Sequence, residues 1–315
     1  MTPSHETRDC LFLTGATASG KTAVGVALAR RLGAEIVSLD SMAIYRGMNI
    51  GTAKPTPEEQ GGITHHLIDI ASPGDEFSVA DYVAVAERCV ADITDRGHEA
   101  VFVGGTPLYL KALLRGIDAG PPADWPLRER LIEWGREAGP AALHQRLAAV
   151  DPTAAARLHP SDTRRLVRAL EVFERTGKTI SSQQQHFSVG RPAKACRVFV
   201  LDWPRDQLYE RINRRVDAMF AAGLIDEVRE LAKTVPDTVF LSRTASQAVG
   251  YREAMEVLAG RLTLPAAIER TKTRTRQFAK RQLTWFRSLS ECRFIAIDDR
   301  LDADAVAERI LATAG

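Results

Sequence analysis

The order of apolar and polar positions divides the chain into alternating short runs and longer periodic stretches. Residues 11–14 (LFLT) form an apolar run of strand length, and Val24, Leu28 and Leu32 then return every fourth residue, which predicts a helix. Residues 35–39 (EIVSL) predict a second strand, 67–70 (LIDI) a brief one, and 100–103 (AVFV) another. Ser78 reads as the N-cap of a helix whose buried face carries Val79, Tyr82, Val83, Ala86, Val90 and Ile93. Residues 40–64, broken by Gly47, Gly51, Pro55, Pro57, Gly61 and Gly62, read as loop. Strand and helix in alternation predict an α/β fold with a parallel sheet and helices on both faces.

The alternation stops at 116–126, where Gly116, Gly120, Pro121, Pro122 and Pro126 cluster. The stretch that follows has helical periodicity and no strand run until 197–201 (RVFVL). The expected organisation is a core over 1–115, an all-α insertion over 116–193, and a second part of the core over 194–315. That last part is mainly helical, with a late strand near 293–297 (RFIAI) and a closing helix.

Composition narrows the class. With 315 residues, 45% of them hydrophobic, the chain is long and apolar enough to bury a core, which excludes wholesale disorder. No apolar run approaches the ~20 residues of a membrane span. The polar start, Met1 to Cys10, does not read as a signal peptide, so a cytoplasmic protein with no membrane partner is expected. Cys10, Cys89, Cys196 and Cys292 are scattered, as expected for reduced thiols rather than a disulfide framework or a zinc site. Adjacent residues of a strand point to opposite faces, so His65 and His66 do not read as a metal pair. The net charge of +2 conceals a basic stretch from Arg261 to Arg287 that holds one acid, Glu269, and a second around Arg164, Arg165 and Arg168. A basic run alone is most often a solvated helix face.

Gly15-Ala16-Thr17-Ala18-Ser19-Gly20-Lys21-Thr22 fits GxxxxGK[ST] between a predicted strand and a predicted helix. In that context backbone N–H groups and a helix N-terminus cradle phosphates, the lysine reaches them, and the Thr22 hydroxyl holds Mg²⁺. This gives the core a P-loop NTPase-like character. The strand at 100–103 does not end in the carboxylate that a kinase uses for its metal; it runs into Gly104-Gly105-Thr106-Pro107. Asp40 is the carboxylate that follows a strand. On residues alone it is a water-mediated Mg²⁺ ligand, a general base or a loop cap.

These blocks in series resemble the tRNA dimethylallyltransferases of bacterial type. The resemblance rests on GATASGKT at 15–22, DSMAIYRGMNIGTAKP at 40–55, HHLID at 65–69, FSVADY at 77–82, GGTPLYLKALL at 104–114, LHPSDTRRLVRALEVFERTGK at 158–178, RINRRVDAMFAAGL at 211–224, QAVGYRE at 247–253 and FAKRQLTWFR at 278–287. It implies transfer of a dimethylallyl group from dimethylallyl diphosphate to N6 of the adenosine immediately 3′ of the anticodon, in tRNAs reading codons that begin with U. The phosphate loop and Mg²⁺ on Thr22 would hold the diphosphate, Asp40 would be the general base, and Thr106 and Arg215 would assist at the diphosphate. Contacts to the anticodon stem-loop would come from Asp40, Ser41, Met42, Ala43 and Thr106, and from Arg128, Arg164, Arg165, Leu166, Val167 and Arg168. Two further blocks would join them: Gln247, Ala248, Val249, Gly250, Tyr251 and Arg252, and Lys280, Arg281, Gln282 and Arg287. A monomer is expected.

The chain departs from the family pattern at Ala16 (usually Pro), Ala43 (usually Gln, which can bond the target adenine), Asn49 (commonly Asp) and Pro107. It also lacks the zinc-finger extension of some eukaryotic members. Competing readings are an adenylate isopentenyltransferase acting on free AMP, ADP or ATP, a P-loop small-molecule kinase, and an RNA-binding chaperone with a degenerate phosphate site. The basic helices argue against the first, the missing metal carboxylate against the second, and intact Lys21, Thr22 and Asp40 against the third.

Overall fold

Six short strands pair in parallel in the order β3-β2-β4-β1-β5-β6. They are β1 (Leu11–Gly15), β2 (Ala34–Ser38), β3 (His65–His66), β4 (Glu99–Val103), β5 (Val198–Asp202) and β6 (Cys292–Ala296). All five residues of β1 and of β2 are buried, as helices on both faces require; β1 reads as an apolar run for that reason, whereas β2 also buries Glu35 and Ser38. The edge strand β6 is half-exposed instead. In a computed structural model, the structure describes residues 4–117, 120–183, 190–234, 241–298 and 300–314. None of the described helices is long and apolar enough to cross a membrane.

The predicted elements recur with small shifts. The helix Lys21–Leu32 leaves the loop after β1 and buries Val24 and Leu28. The helix Val79–Asp95 begins behind Ser78 in a full capping box: Ser78 Oγ accepts from Asp81 N–H, and the Asp81 carboxylate accepts from Ser78 N–H at 2.9 Å. One strand is displaced. Pairing occurs at His65–His66, not at 67–70, because Leu67 and Asp69 take left-handed backbone angles (φ +59° and +58°) that end the ladder. Within the stretch read as loop, Pro57–Gln60 makes one helical turn, capped by Thr56 with proline at its start.

The chain forms two compact units: Arg115–Val189, and Pro3–Leu114 together with Gly190–Gly315. The first is helical, and Leu127, Leu131, Leu143, Leu147, Leu166 and Leu170 fill its core. Glu171 is fully buried there. Arg128 grips it with two hydrogen bonds of 2.9 Å, Arg168 bonds it as well, and the Asp124 N–H donates to it at 2.6 Å. Burial alone would raise this carboxyl, but the Arg128 fork and the other donors hold it below its ordinary value.

In the second unit, Glu35 of β2 is buried and receives the Arg96 guanidinium and the His66 ring at 2.5 Å. The Arg96 bonds outweigh the opposing effect of burial, and with the help of His66 they pull the Glu35 carboxyl from 4.5 to about 2. A depressed carboxylate stabilises the fold fully above its unfolded value and loses that contribution as pH falls through its folded value. Glu35→Gln should therefore flatten the acid-unfolding profile between pH 4.5 and 2. It should cost about 1–2 kcal/mol at neutral pH, since the exposed side of Arg96 is screened by water. Urea titrations of both proteins at a series of pH values read this directly.

Candidate active site

The connection from β1 leads towards β2 and the one from β5 leads towards β6, so the chain diverges around β1. In a parallel sheet the crevice at the carboxyl ends of such strands is the natural ligand site. A cleft of about 960 Å³ opens there, lined by the loops after β1, β2 and β4, by the segment 49–56, and by the helices Arg205–Ala221 and Leu264–Arg287. The loops interlock through their backbones. Gly104 N–H donates to Leu13 O at 3.1 Å, and Thr106 N–H to Leu39 O at 3.1 Å. A Cβ on Gly104 would lie 2.2 Å from Leu39 O, so glycine is required at this crossing.

Side chains from elsewhere hold the phosphate loop. Ala18 sits in the left-handed region (φ +62°), and its carbonyl accepts from Arg211 Nε at 2.8 Å. Trp203 Nε1 donates to Ser19 O at 2.9 Å, with the Arg211 guanidinium 4.4 Å over its ring. Gln282 Oε1 accepts from Thr17 N–H at 3.0 Å. Lys21 Nζ donates to Gly15 O and Ala16 O at 3.1 and 2.8 Å.

The charges in the cleft are unbalanced. Burial, then repulsion from Arg215, brings Lys21 down to about 7 despite the attraction of Asp40. Burial also lowers Arg215, against a raising effect of Asp40. The Arg215 guanidinium has no hydrogen-bond or ion-pair partner among the described residues. Asp40 Oδ1 accepts from the N–H groups of Met42 (2.8 Å) and Ala43 (3.3 Å), while Oδ2 has no partner there. Asp40 is thus a loop cap with one oxygen left to face the cleft. Lys21 and Arg215, both half-buried, together with Arg211 and Arg214 outnumber the two carboxylates of the lining, Asp40 and Glu59, and this excess of positive charge suits an anion.

The other sequence-derived positions divide into cleft, surface and interior. Gly20, Lys21, Thr22, Asp40, Ser41, Met42, Ala43, Thr106 and Arg215 line the cleft together. The Thr106 hydroxyl accepts from Ser41 N–H at 3.0 Å and donates to Ser41 Oγ at 3.3 Å, so it ties the loop after β4 to the one after β2. Arg164, Arg165, Gln247, Arg252, Lys280, Arg281 and Arg287 are exposed.

Several expected RNA contacts are buried or paired within the protein, although two of them, Ala248 and Gln282, also line the cleft. Leu166 and Val167 lie in the helical unit's core, and Arg128 and Arg168 are tied to Glu171. Ala248, Gly250 and Tyr251 are buried, and the Tyr251 hydroxyl donates to Glu227 at 2.6 Å. Gln282 is buried against the phosphate loop. Arg270 and Arg274, within the basic stretch from Arg261 to Arg287, pair with Glu256 and with the buried Glu253. His66 bonds Glu35, and His65 Nδ1 lies 2.9 Å from Ile63 O.

Sequence reasoning missed Glu227. Its carboxylate accepts from the N–H groups of Asn49, Ile50 and Gly51 at 2.9, 2.7 and 3.4 Å and so shapes one wall of the cleft. It also missed the bracing roles of Arg211, Trp203 and Gln282. Only Gln282 carried a signal: it shares a helical face with Ala279 and Phe286, both fully buried.

A family profile described as IPP transferase matches residues 43–289. A tRNA dimethylallyltransferase of Rhodopirellula baltica is 46% identical over 316 residues, covering 97% of this chain and 94% of that protein. The crystal structure of the tRNA isopentenylpyrophosphate transferase of Bacillus halodurans superposes with a TM-score of 0.68 at 39% identity, covering 98% of this chain and 97% of that one. A eukaryotic dimethylallyltransferase acting on tRNA superposes with a TM-score of 0.77 at 26% identity, covering 96% of this chain and 77% of that one. The match runs through the cleft-lining segments as well as the scaffold, and the chain belongs to the IPP transferase family.

Proposed function

We propose that this chain transfers the dimethylallyl group of dimethylallyl diphosphate to N6 of the adenosine immediately 3′ of the anticodon, in tRNAs reading codons that begin with U. Diphosphate is released. The observation that carries the reading is the excess of positive charge in one cleft, where Lys21, Arg211, Arg214 and Arg215 face two carboxylates, Asp40 and Glu59. A diphosphate supplies the missing negative charge, and it gains more as the C–O bond breaks. Cations and loop N–H groups fixed beforehand therefore stabilise the transition state more than the ground state. The names of the relatives supply the acceptor, tRNA, and the group transferred.

The chemistry is one displacement. The N6 lone pair forms a bond to C1 of the dimethylallyl chain, and the C1–O electron pair leaves with diphosphate. The N6 proton passes to the free oxygen of Asp40. An exocyclic adenine amine is a weak nucleophile, and a carboxylate within reach orients it and removes the proton as the bond forms. Met42, Met219, Val249 and Phe278 give the cleft an apolar wall suited to a five-carbon chain. The Thr22 hydroxyl, a hard oxygen donor without a partner among the described residues, would hold Mg²⁺ beside the diphosphate. When bound, the ion would neutralise charge on the leaving group.

The target base must leave the anticodon loop's stack to enter such a cleft. That costs a few kcal/mol, to be offset by contacts to the RNA backbone. Exposed Arg164, Arg165, Lys280, Arg281 and Arg287 offer those contacts.

Labelled dimethylallyl diphosphate, offered with unmodified tRNA and in parallel with AMP, ADP and ATP, tests the reading. Label is expected on tRNA and lost when the base after the anticodon is changed; label on free nucleotide would assign the adenylate enzyme instead. In a single-turnover experiment Asp40→Ala should slow transfer by about 10²–10⁴-fold with tRNA affinity within about twofold of wild type. A normal rate would remove Asp40 as the base. Arg165→Ala should weaken tRNA binding and lower the salt slope, −dlogK/dlog[salt], by about one, measured by filter binding over a salt series.

A further inference from the structure

The side chain of Gln282 touches two loops at once. It projects from the basic helix Leu264–Arg287 and is 4% exposed, although its neighbours Lys280 and Arg281 face solvent. Its Oε1 accepts from Thr17 N–H in the phosphate loop at 3.0 Å, and its Nε2 donates to Gly105 O in the turn after β4 at 2.6 Å. The two partners, a donor and an acceptor, fix the orientation of the carboxamide. Gln282 lines the cleft, and the fit on the Gly105 side is close: a Cβ on Gly105 would come within 2.8 Å of Nε2.

We propose that Gln282 is a positioning residue for the prenyl donor and not a contact to tRNA. Its carboxamide fastens the phosphate loop to the turn that carries Thr106. The loop N–H groups, Lys21 and the Asp40–Ser41 turn, which Thr106 holds, thereby keep one mutual arrangement around the diphosphate. No other common side chain fits both partners at this reach. Glutamate accepts from Thr17 but cannot donate to Gly105 O, and it places a negative charge beside the diphosphate; methionine fills the volume and bonds neither. A buried N–H and carbonyl left unpaired would free the loop to rearrange.

The inference rests on the proposed prenyl transfer, so wild-type turnover is measured alongside. In steady-state assays at saturating tRNA, Gln282→Met should raise KM for dimethylallyl diphosphate by about tenfold, with a smaller fall in kcat. Its Kd for tRNA, measured without donor, should stay within about twofold of wild type. Gln282→Glu should raise the donor KM further. Gly105→Ala, which presses on the same amide from the other side, should reproduce the pattern if the helix variants fold poorly. A tRNA Kd weakened as much as the donor KM would make Gln282 an RNA contact and overturn the proposal. So would a fall in kcat alone, the mark of a smaller active fraction. An unchanged donor KM in all three variants overturns it too, whereas a wild-type chain that labels no tRNA refutes the function itself.

Discussion

A phosphate loop must turn its N–H groups towards an anion, and that turn leaves backbone groups that regular secondary structure cannot pair. Here three of them are met by side chains from outside the loop: Thr17 N–H by Gln282, Ala18 O by Arg211 and Ser19 O by Trp203. The loop's shape depends on these three bonds as much as on its glycines. They also explain why the two long helices Arg205–Ala221 and Leu264–Arg287 pack where they do, since Arg211 and Gln282 must both reach the end of β1.

The braced loop makes the electrostatics of the cleft costly while no anion is bound. Lys21 rests on the carbonyls of Gly15 and Ala16 with its affinity for a proton reduced, and Arg215 has no partner among the described residues. Asp40 offsets both only in part, because one of its oxygens holds the turn that presents Met42 and Ala43. On the proposed function an arriving diphosphate would relieve this strain, and more so at the transition state, where its charge would grow. On the same proposal the carboxylate that caps the loop, Asp40, would also take the proton.

The sheet was legible in the sequence because buried parallel strands read as apolar runs and GATASGKT marks the strand-to-helix turn. The strand at 67–70 was misplaced because LIDI has the right composition, but Leu67 and Asp69 adopt left-handed angles that no periodicity reveals. The cleft residues were legible where they follow strands: Asp40, Thr106 and the loop itself. The set proposed to face RNA was less so. A basic residue reads the same whether it faces solvent, as Arg165 does, or holds a buried carboxylate, as Arg128 and Arg168 hold Glu171. The partner that decides between these is distant in sequence. Glu227 went unseen for the same reason: the three N–H groups it binds lie in a loop that leaves no pattern of its own.

The central claim is that the cleft is built around a diphosphate held by Lys21 and Arg215. Calorimetric titration of the chain with inorganic diphosphate and Mg²⁺, without tRNA, tests it most directly. The account predicts one site per chain, competed by dimethylallyl diphosphate and weakened by at least about tenfold in Arg215→Gln. Binding of equal strength in Arg215→Gln, or no binding by the wild-type chain, would contradict it.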